Sequence, residues 1–309
     1  MNLLVTGATG LIGSAVVRAA SSWGWRVFAA ARDVSKAKAL FAAVPRVEIV
    51  RWDVTSPAEI ESPVDGIVHA AAVTTSIRMV ENPVETMAVT VDGTRHVLEL
   101  ARAKGVKGMV YLSSMEVYGS PQEDRVLAED DLGPLDHLSP RSSYPLSKRM
   151  AEGLCAAYAR EFGVPVKIAR LAQVIGESVM PEDRRVIAQF ARSIRDGQDL
   201  VLHTDGSSAR VYCALSDAVS AIRTLLEHGE PGEAYNVANA STYCSVREMA
   251  EGLCAAHPPS KVVIRPTEGL GYAPSCRLRL STAKLEALGW KAKVGLSESF
   301  ERLLASWKD

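Results

Sequence analysis

Cysteine is scarce in this chain. The five thiols, Cys155, Cys213, Cys244, Cys254 and Cys276, are odd in number and widely spaced, and no C-x-x-C occurs. A disulfide scaffold is excluded, and free thiols in a reducing compartment, the cytoplasm, are expected. The six histidines form no pair at metal-ligand spacing, so no metal site is expected. No apolar run reaches the roughly 18–20 residues of a membrane span. The N-terminus opens on a strand pattern with no basic region and apolar core, so neither membrane attachment nor a secretion signal is expected. An excess of either charge is also missing. Lys and Arg number 35 against 36 Asp and Glu, a net charge of −1, which argues against broad electrostatic binding to nucleic acid or an anionic membrane.

What is present is a folded composition, 47% hydrophobic and 23% charged over 309 residues, enough for one large domain or two joined ones. Short apolar runs at 2–6, 26–31, 47–52, 66–71, 109–113 and 166–171 alternate with helical patterns such as 12–23, 83–104 and 144–162. Apolar strands alternating with helices predict an α/β fold, a doubly wound parallel sheet covered on both faces. Residues 1–175 form its main domain. After Gly176 the pattern loosens into helices near 184–196, 216–228, 246–257 and 296–307 and strands near 200–203, 211–214, 234–238 and 262–265. Residues 176–309 therefore read mostly as a smaller α/β cap, with the chain returning to the main domain near 211–240.

The first strand runs into Thr6-Gly7-Ala8-Thr9-Gly10-Leu11-Ile12-Gly13 and then a helix. Gly7 permits the tight turn, Gly10 lets backbone approach a pyrophosphate, and Gly13 allows close helix–strand packing. The helix N-terminus adds N–H groups and a positive dipole end. Gly7, Thr9, Gly10, Leu11, Ile12 and Gly13 are thus candidate dinucleotide contacts in a Rossmann domain. Where NAD binders often place an acid at the end of strand 2, this chain has Ala31 followed by Arg32. An arginine there attracts a 2′-phosphate, so NADP(H) is the first choice and NAD the second. The alternative is a solvated Arg32, with Asp33 taking the ribose.

With Trp52-Asp53-Val54, His69-Ala70-Ala71-Ala72, Ser113-Ser114-Met115-Glu116-Val117-Tyr118-Gly119 and Tyr144-Pro145-Leu146-Ser147-Lys148, the sequence resembles the extended short-chain dehydrogenase/reductases, the NAD(P)-dependent nucleotide-sugar epimerase/dehydratase family. The likeness covers nearly the whole chain, including Gly206 to Tyr212, Tyr235-Asn236-Val237 and Leu288-Gly289-Trp290. It implies that Asp53 and Val54 lie at the adenine and that Ala70, Ala71 and Ala72 line the cofactor. It implies a catalytic Ser114, Tyr144 and Lys148, the last two also touching the cofactor. Tyr144 and Lys148, at i and i+4, share a helix face. A neighbouring ammonium draws a phenol from ~10 toward neutrality, which lets Tyr144 take a proton from a sugar hydroxyl.

The departures carry information too. Related 4,6-dehydratases have Asp-Glu after the catalytic Ser/Thr, whereas this chain has Met115-Glu116. A thioether donates no proton, while Glu116 either serves as a base or is a structural carboxylate. Gln173 stands where the family commonly has Asn at the substrate phosphates. Arg210 matches a phosphate-binding Arg, and Arg277 is a second candidate. The resemblance implies a nucleotide-sugar substrate and a homodimer formed through 83–104 and 144–162, with Met87, Val91, Leu98, Leu154 and Tyr158 as interface candidates. The expected reaction is epimerisation through a transient keto intermediate. A keto-sugar reductase, a dehydratase or decarboxylase using Glu116, and a non-catalytic NADP(H) sensor are the alternatives.

Overall fold

A computed structural model of the chain describes residues 1–121, 123–267 and 276–307. Its strands are β1 (Asn2–Thr6), β2 (Arg26–Ala31), β3 (Val47–Arg51), β4 (Gly66–His69), β5 (Gly108–Ser114), β6 (Val126–Leu127), β7 (Val166–Leu171), β8 (Gln173–Ile175), β9 (Leu200–Leu202), β10 (Ala209–Ala214), β11 (Ala234–Val237), β12 (Asn239–Ser245), β13 (Val262–Ile264) and β14 (Arg277–Leu280). Its helices are α1 (Leu11–Ser22), α2 (Val34–Phe41), α3 (Ser76–Glu81), α4 (Pro83–Lys104), α5 (Ser143–Phe162), α6 (Val186–Arg195), α7 (Leu215–His228), α8 (Val246–Ala256), α9 (Ala283–Glu286) and α10 (Leu296–Ser306). Among the described residues no helix is long and apolar enough to cross a membrane.

Seven parallel strands form the main sheet in the order β11-β7-β5-β4-β1-β2-β3. Strands buried on both faces carry unbroken apolar runs, as in β7, where all six residues are buried. Side chains alternate between faces. Leu3 and Val5 of β1 join Val17 of α1 and Ile222 of α7 on one side, while Leu4 joins Val97 and Leu98 of α4 and Cys155 of α5 on the other. A third cluster gathers Phe190, Leu200, Tyr212, Met249 and Phe300, from the chain after β8.

The order of connection reverses beside β1, whose neighbours are β2 and β4. A crevice opens there at the carboxyl ends of the strands. The turns after β1, β2, β3 and β4, the end of β5 and the start of β8 all lie at that edge. The return of the chain is α7 and then β11, which pairs with β7 from Ala234 opposite Ile168 to Val237 opposite Leu171. The strand expected over 66–71 ends at His69, two residues early, though the Ala70 N–H still bonds the Thr6 carbonyl at 3.2 Å. β12, α2 and β14 had no counterpart in the sequence reading. β12 is NASTYCS with one buried residue, so no apolar alternation marks it.

Candidate active site

Gly7 adopts φ +62°, a left-handed conformation that glycine takes without strain. A Cβ there would lie 2.7 Å from the carbonyl of Ala70 and the nitrogen of Ala71, and one on Gly13 would lie 2.2 Å from the Gly7 oxygen. The turn is thus wedged between α1 and the 70–72 segment. At Gly10, by contrast, a Cβ would meet only the Gly7 oxygen, at 3.3 Å, so that side is free for a ligand. Gly10 caps α1 with extended backbone, with no side-chain cap and no acid in the first turn, which leaves the positive end of the helix for an anion. This cradle fits a dinucleotide pyrophosphate. Gly13→Ala is expected to weaken dinucleotide binding at least about tenfold, since backbone must shift to admit the methyl. Titration with NAD and NADP checks it, and unchanged affinity for both would contradict it.

Thr9, Leu11 and Ile12 are half-buried beside the turn, and Arg32 is exposed. Asp33 caps α2, its Oδ1 accepting from the Lys36 N–H at 2.9 Å. That engagement weighs against Asp33 as the ribose acid. Burial raises the Asp53 carboxyl, but hydrogen bonds from Thr55 and the charge of Arg32 more than reverse this and hold it below its ordinary range. Val54 is buried under α4, where a Cβ on Gly93 would come within 2.8 Å of it. Ala70, Ala71 and Ala72 are half-buried along the crevice.

At the end of β5 the Ser114 hydroxyl accepts from the Glu116 N–H at 3.2 Å, capping a 3-10 turn at Met115–Tyr118. α5 brings Tyr144 and Lys148 against it, 7% and 2% exposed. Lys148 Nζ donates to the Leu112 carbonyl at 2.7 Å. Burial pulls this ammonium down to about 8, with Glu152 and Cys155 opposing the fall. The Tyr144 phenol is pushed well above its ordinary value by burial and by Glu116, while the Ser114 hydroxyl, Arg141 and Arg185 pull it back. The expectation that Lys148 draws this phenol toward neutrality is corrected. Nζ stands 5.7 Å from the Tyr144 ring centre and is bound to Leu112, so burial outweighs it.

Three charged neighbours of Tyr144 form pairs. Arg141, in a 3-10 turn at Pro140–Ser142, donates to Glu116 Oε2 at 2.8 Å. Arg185 grips Asp183 with Nε at 3.0 Å and Nη2 at 2.6 Å. Sequence reading found neither arginine, because no motif marks them. It also missed the layer beneath. His69 Nδ1 lies 2.7 Å from Thr6 Oγ1 and Nε2 lies 3.2 Å from Thr94 Oγ1. Thr94 gives its own proton to the Thr90 carbonyl, so His69 carries its proton on Nε2 and accepts from Thr6. Burial, then Lys148, pulls His69 down to about 3, which keeps the ring neutral under the site.

Gln173 on β8 stands opposite Tyr212 on β10, which brings it to the strand that carries Arg210. Arg210 Nε is buried with no hydrogen-bond partner. Arg277 differs. It is exposed, and its Nη1 is tied to Asp124 at 2.6 Å, so its charge is already matched. Residues 268–275, which precede Arg277, lie outside the described residues.

Residues 3–238 match the model of the NAD dependent epimerase/dehydratase family. UDP-glucuronic acid decarboxylase 6 of Arabidopsis thaliana is 32% identical over 309 residues, covering 96% of this chain and 86% of that protein. UDP-glucuronic acid decarboxylase 5 of the same plant is 34% identical over 254 residues, 82% of this chain and 72% of that one. A dTDP-glucose 4,6-dehydratase from Streptomyces venezuelae, solved with NAD bound, superposes with a TM-score of 0.82 at 27% identity, covering 100% of this chain and 97% of the other.

Proposed function

This chain belongs to the NAD-dependent epimerase/dehydratase family, and from that premise we propose that it oxidises a nucleotide-activated uronic acid at one ring hydroxyl, releases carbon dioxide at the keto stage and reduces the ketone again. The observation that carries this reading is the Glu116–Arg141 pair acting on Tyr144 beside Ser114. A bound nicotinamide supplies the acceptance and return of hydride. Tyr144 Oη takes the proton of the hydroxyl and later restores it, Ser114 hydrogen-bonds the same oxygen, and Lys148, a cation on the same helix face, offsets only part of the burial that disfavours the phenolate. A ketone next to the carbon bearing the carboxylate makes a β-keto acid. The C–C electron pair flows into the carbonyl as carbon dioxide leaves, and the ring carbon takes a proton from water. Arg141 offers the substrate carboxylate a cation. The related decarboxylases support this choice of substrate.

Epimerisation is the second reading. It needs only Ser114, Tyr144 and Lys148, and buried Met115 supplies no acid for dehydration. UDP-glucuronic acid with either cofactor separates the two. Decarboxylation releases carbon dioxide and leaves one solvent deuterium in the sugar, whereas a product of unchanged mass overturns it in favour of epimerisation.

For the cofactor, Arg32 beside an Asp33 occupied in capping supports NADP(H). NAD, which the solved dehydratase holds, is the other outcome, and dissociation constants for the two decide. Arg210 and Gln173 suit the substrate phosphates, and Arg277 suits them less. The unpaired thiols fit a cytoplasmic setting. The homodimer reading rests on apolar residues left exposed on α4 and α5: Val84 at 79%, Met87 at 42% and Met150 at 56%. Leu98 leaves that set, being fully buried within the monomer. A Met87→Glu/Met150→Glu variant is expected to sediment as a monomer at micromolar concentration. A parent protein already monomeric there would contradict the dimer.

A further inference from the structure

Tyr144, Lys148 and Glu152 stand at i, i+4 and i+8 of α5, on one face of the helix. That face meets three consecutive residues of β5. Lys148 Nζ holds the Leu112 carbonyl, Glu152 Oε1 accepts from the Ser113 hydroxyl at 2.5 Å, and the Ser114 hydroxyl acts on Tyr144. Glu152 therefore grips the strand between the two residues that hold the reacting pair. It is 7% exposed and has no part in the proton transfers above. Its second partner is Arg170 of β7, with Nε 3.0 Å from Oε1 and Nη2 2.8 Å from Oε2.

We propose that Glu152 is a positioning residue for this reaction: bound to Ser113 and Arg170, its carboxylate fixes α5 on β5 and supplies the negative charge that keeps Lys148 an ammonium. The proposal rests on the Tyr144–Lys148 reading of the site, and it holds for epimerisation as for decarboxylation. The titratable groups facing Lys148 are few. On α5 they are Tyr144, Glu152 and Cys155. On β5 the ring of Tyr111 lies 4.7 Å from Nζ, and on β4 there is His69. Burial drives the Cys155 thiol and the Tyr111 and Tyr144 phenols upward, which keeps them neutral, and His69 is neutral as well. Arg170 is bound to Glu152 and is not among the groups that shift Lys148. Among the described residues, Glu152 is thus the carboxylate that balances the ammonium against its burial.

The test follows Lys148 directly, by carbon NMR of protein labelled at the lysine side chains, with the signal assigned by its loss in Lys148→Arg. The parent signal is expected to titrate near pH 8. Glu152→Gln keeps the shape and the bond to Ser113 but removes the charge. Its midpoint is expected to fall by about one unit, making the ammonium fraction tenfold lower above both midpoints. The alkaline limb of kcat/KM moves with it. Ser113→Ala removes the bond and keeps the charge, so kcat falls while the midpoint stays. Should Glu152→Gln not fold, Glu152→Gln/Arg170→Met removes both buried charges and is expected to show the same fall. A midpoint unmoved in whichever of these folds, even with a lowered melting temperature, shows a structural role only and overturns the proposal, as does an unchanged kcat in Ser113→Ala. Absence of turnover on uronic acids would overturn the reaction proposed above while leaving the NMR titration to decide on Glu152.

Discussion

Tyr144→Phe lowers kcat by about 10²–10⁴-fold while the protein stays folded and its dinucleotide affinity changes little. The ring is 7% exposed and packs in the cluster shared by β4, β5, α4 and α5. Phenylalanine fills the same space, so the substitution removes one hydroxyl and almost no packing. That hydroxyl is the group placed to exchange a proton with the substrate, and the nearby Ser114 and Glu116 cannot replace it. Ser114 has its oxygen committed to the Glu116 N–H, and Glu116 is paired with Arg141. The raised phenol adds a second expectation. Burial and Glu116 hold the proton on Tyr144, so the parent rate climbs with pH until Lys148 begins to lose its charge near 8. Carbon dioxide release or product mass measures kcat, and calorimetry measures affinity. A variant within tenfold of the parent would remove Tyr144 from the mechanism.

The cofactor turn was legible because its backbone leaves a direct record. Only glycine fits at Gly7 and Gly13, and a strand and a helix flank them within a dozen residues. Tyr144 and Lys148 were legible for the same local reason, a fixed spacing on one helix. What was not legible came from pairs that the fold assembles. Arg141 meets Glu116 across 25 residues, Arg170 meets Glu152 across 18, and Tyr118 meets Asn236 across 118. Nothing in the spacing of either partner points to the other. Burial misled as well. Apolar character placed Leu98 on an interface, yet its position on α4 turns it into the monomer core. Proximity to Lys148 suggested a lowered phenol, yet enclosure raises it. Sequence patterns report periodicity, and desolvation depends on what the other elements bring.

The largest stability effect is expected at Arg170, which no motif singled out. Its guanidinium and the Glu152 carboxylate are 6% and 9% exposed at the side chain. Arg170 also donates to the Tyr118 hydroxyl at 3.1 Å and to the Glu129 carbonyl. Tyr118 passes its proton to Asn236 Oδ1 at 2.7 Å, and Asn236 holds the Ser281 carbonyl at 3.0 Å. The network thus joins α5, β7, the turn after β5, β11 and the segment after β14. Arg170→Met takes the paired guanidinium from this buried carboxylate and leaves it the Ser113 hydrogen bond and the Lys148 charge, at a cost of about 3–5 kcal/mol. The stranded acid escapes by taking up a proton, which the unfolded chain does only at lower pH. The folded variant then binds more protons than the unfolded one, so its deficit grows as pH rises and shrinks as pH falls. Glu152→Gln/Arg170→Met removes the stranded carboxylate and leaves only the Lys148 ammonium without its counter-charge, a smaller loss because Lys148 can give up its proton, and the amide keeps the bond to Ser113. The double variant is therefore expected to recover most of the loss, because replacing a buried pair as a unit is often close to neutral. Denaturant midpoints at pH 6 and pH 8 for the parent, the single and the double variant test this. If the double variant is as unstable as the single, the cost lies in lost packing around Tyr118 rather than in an uncompensated charge.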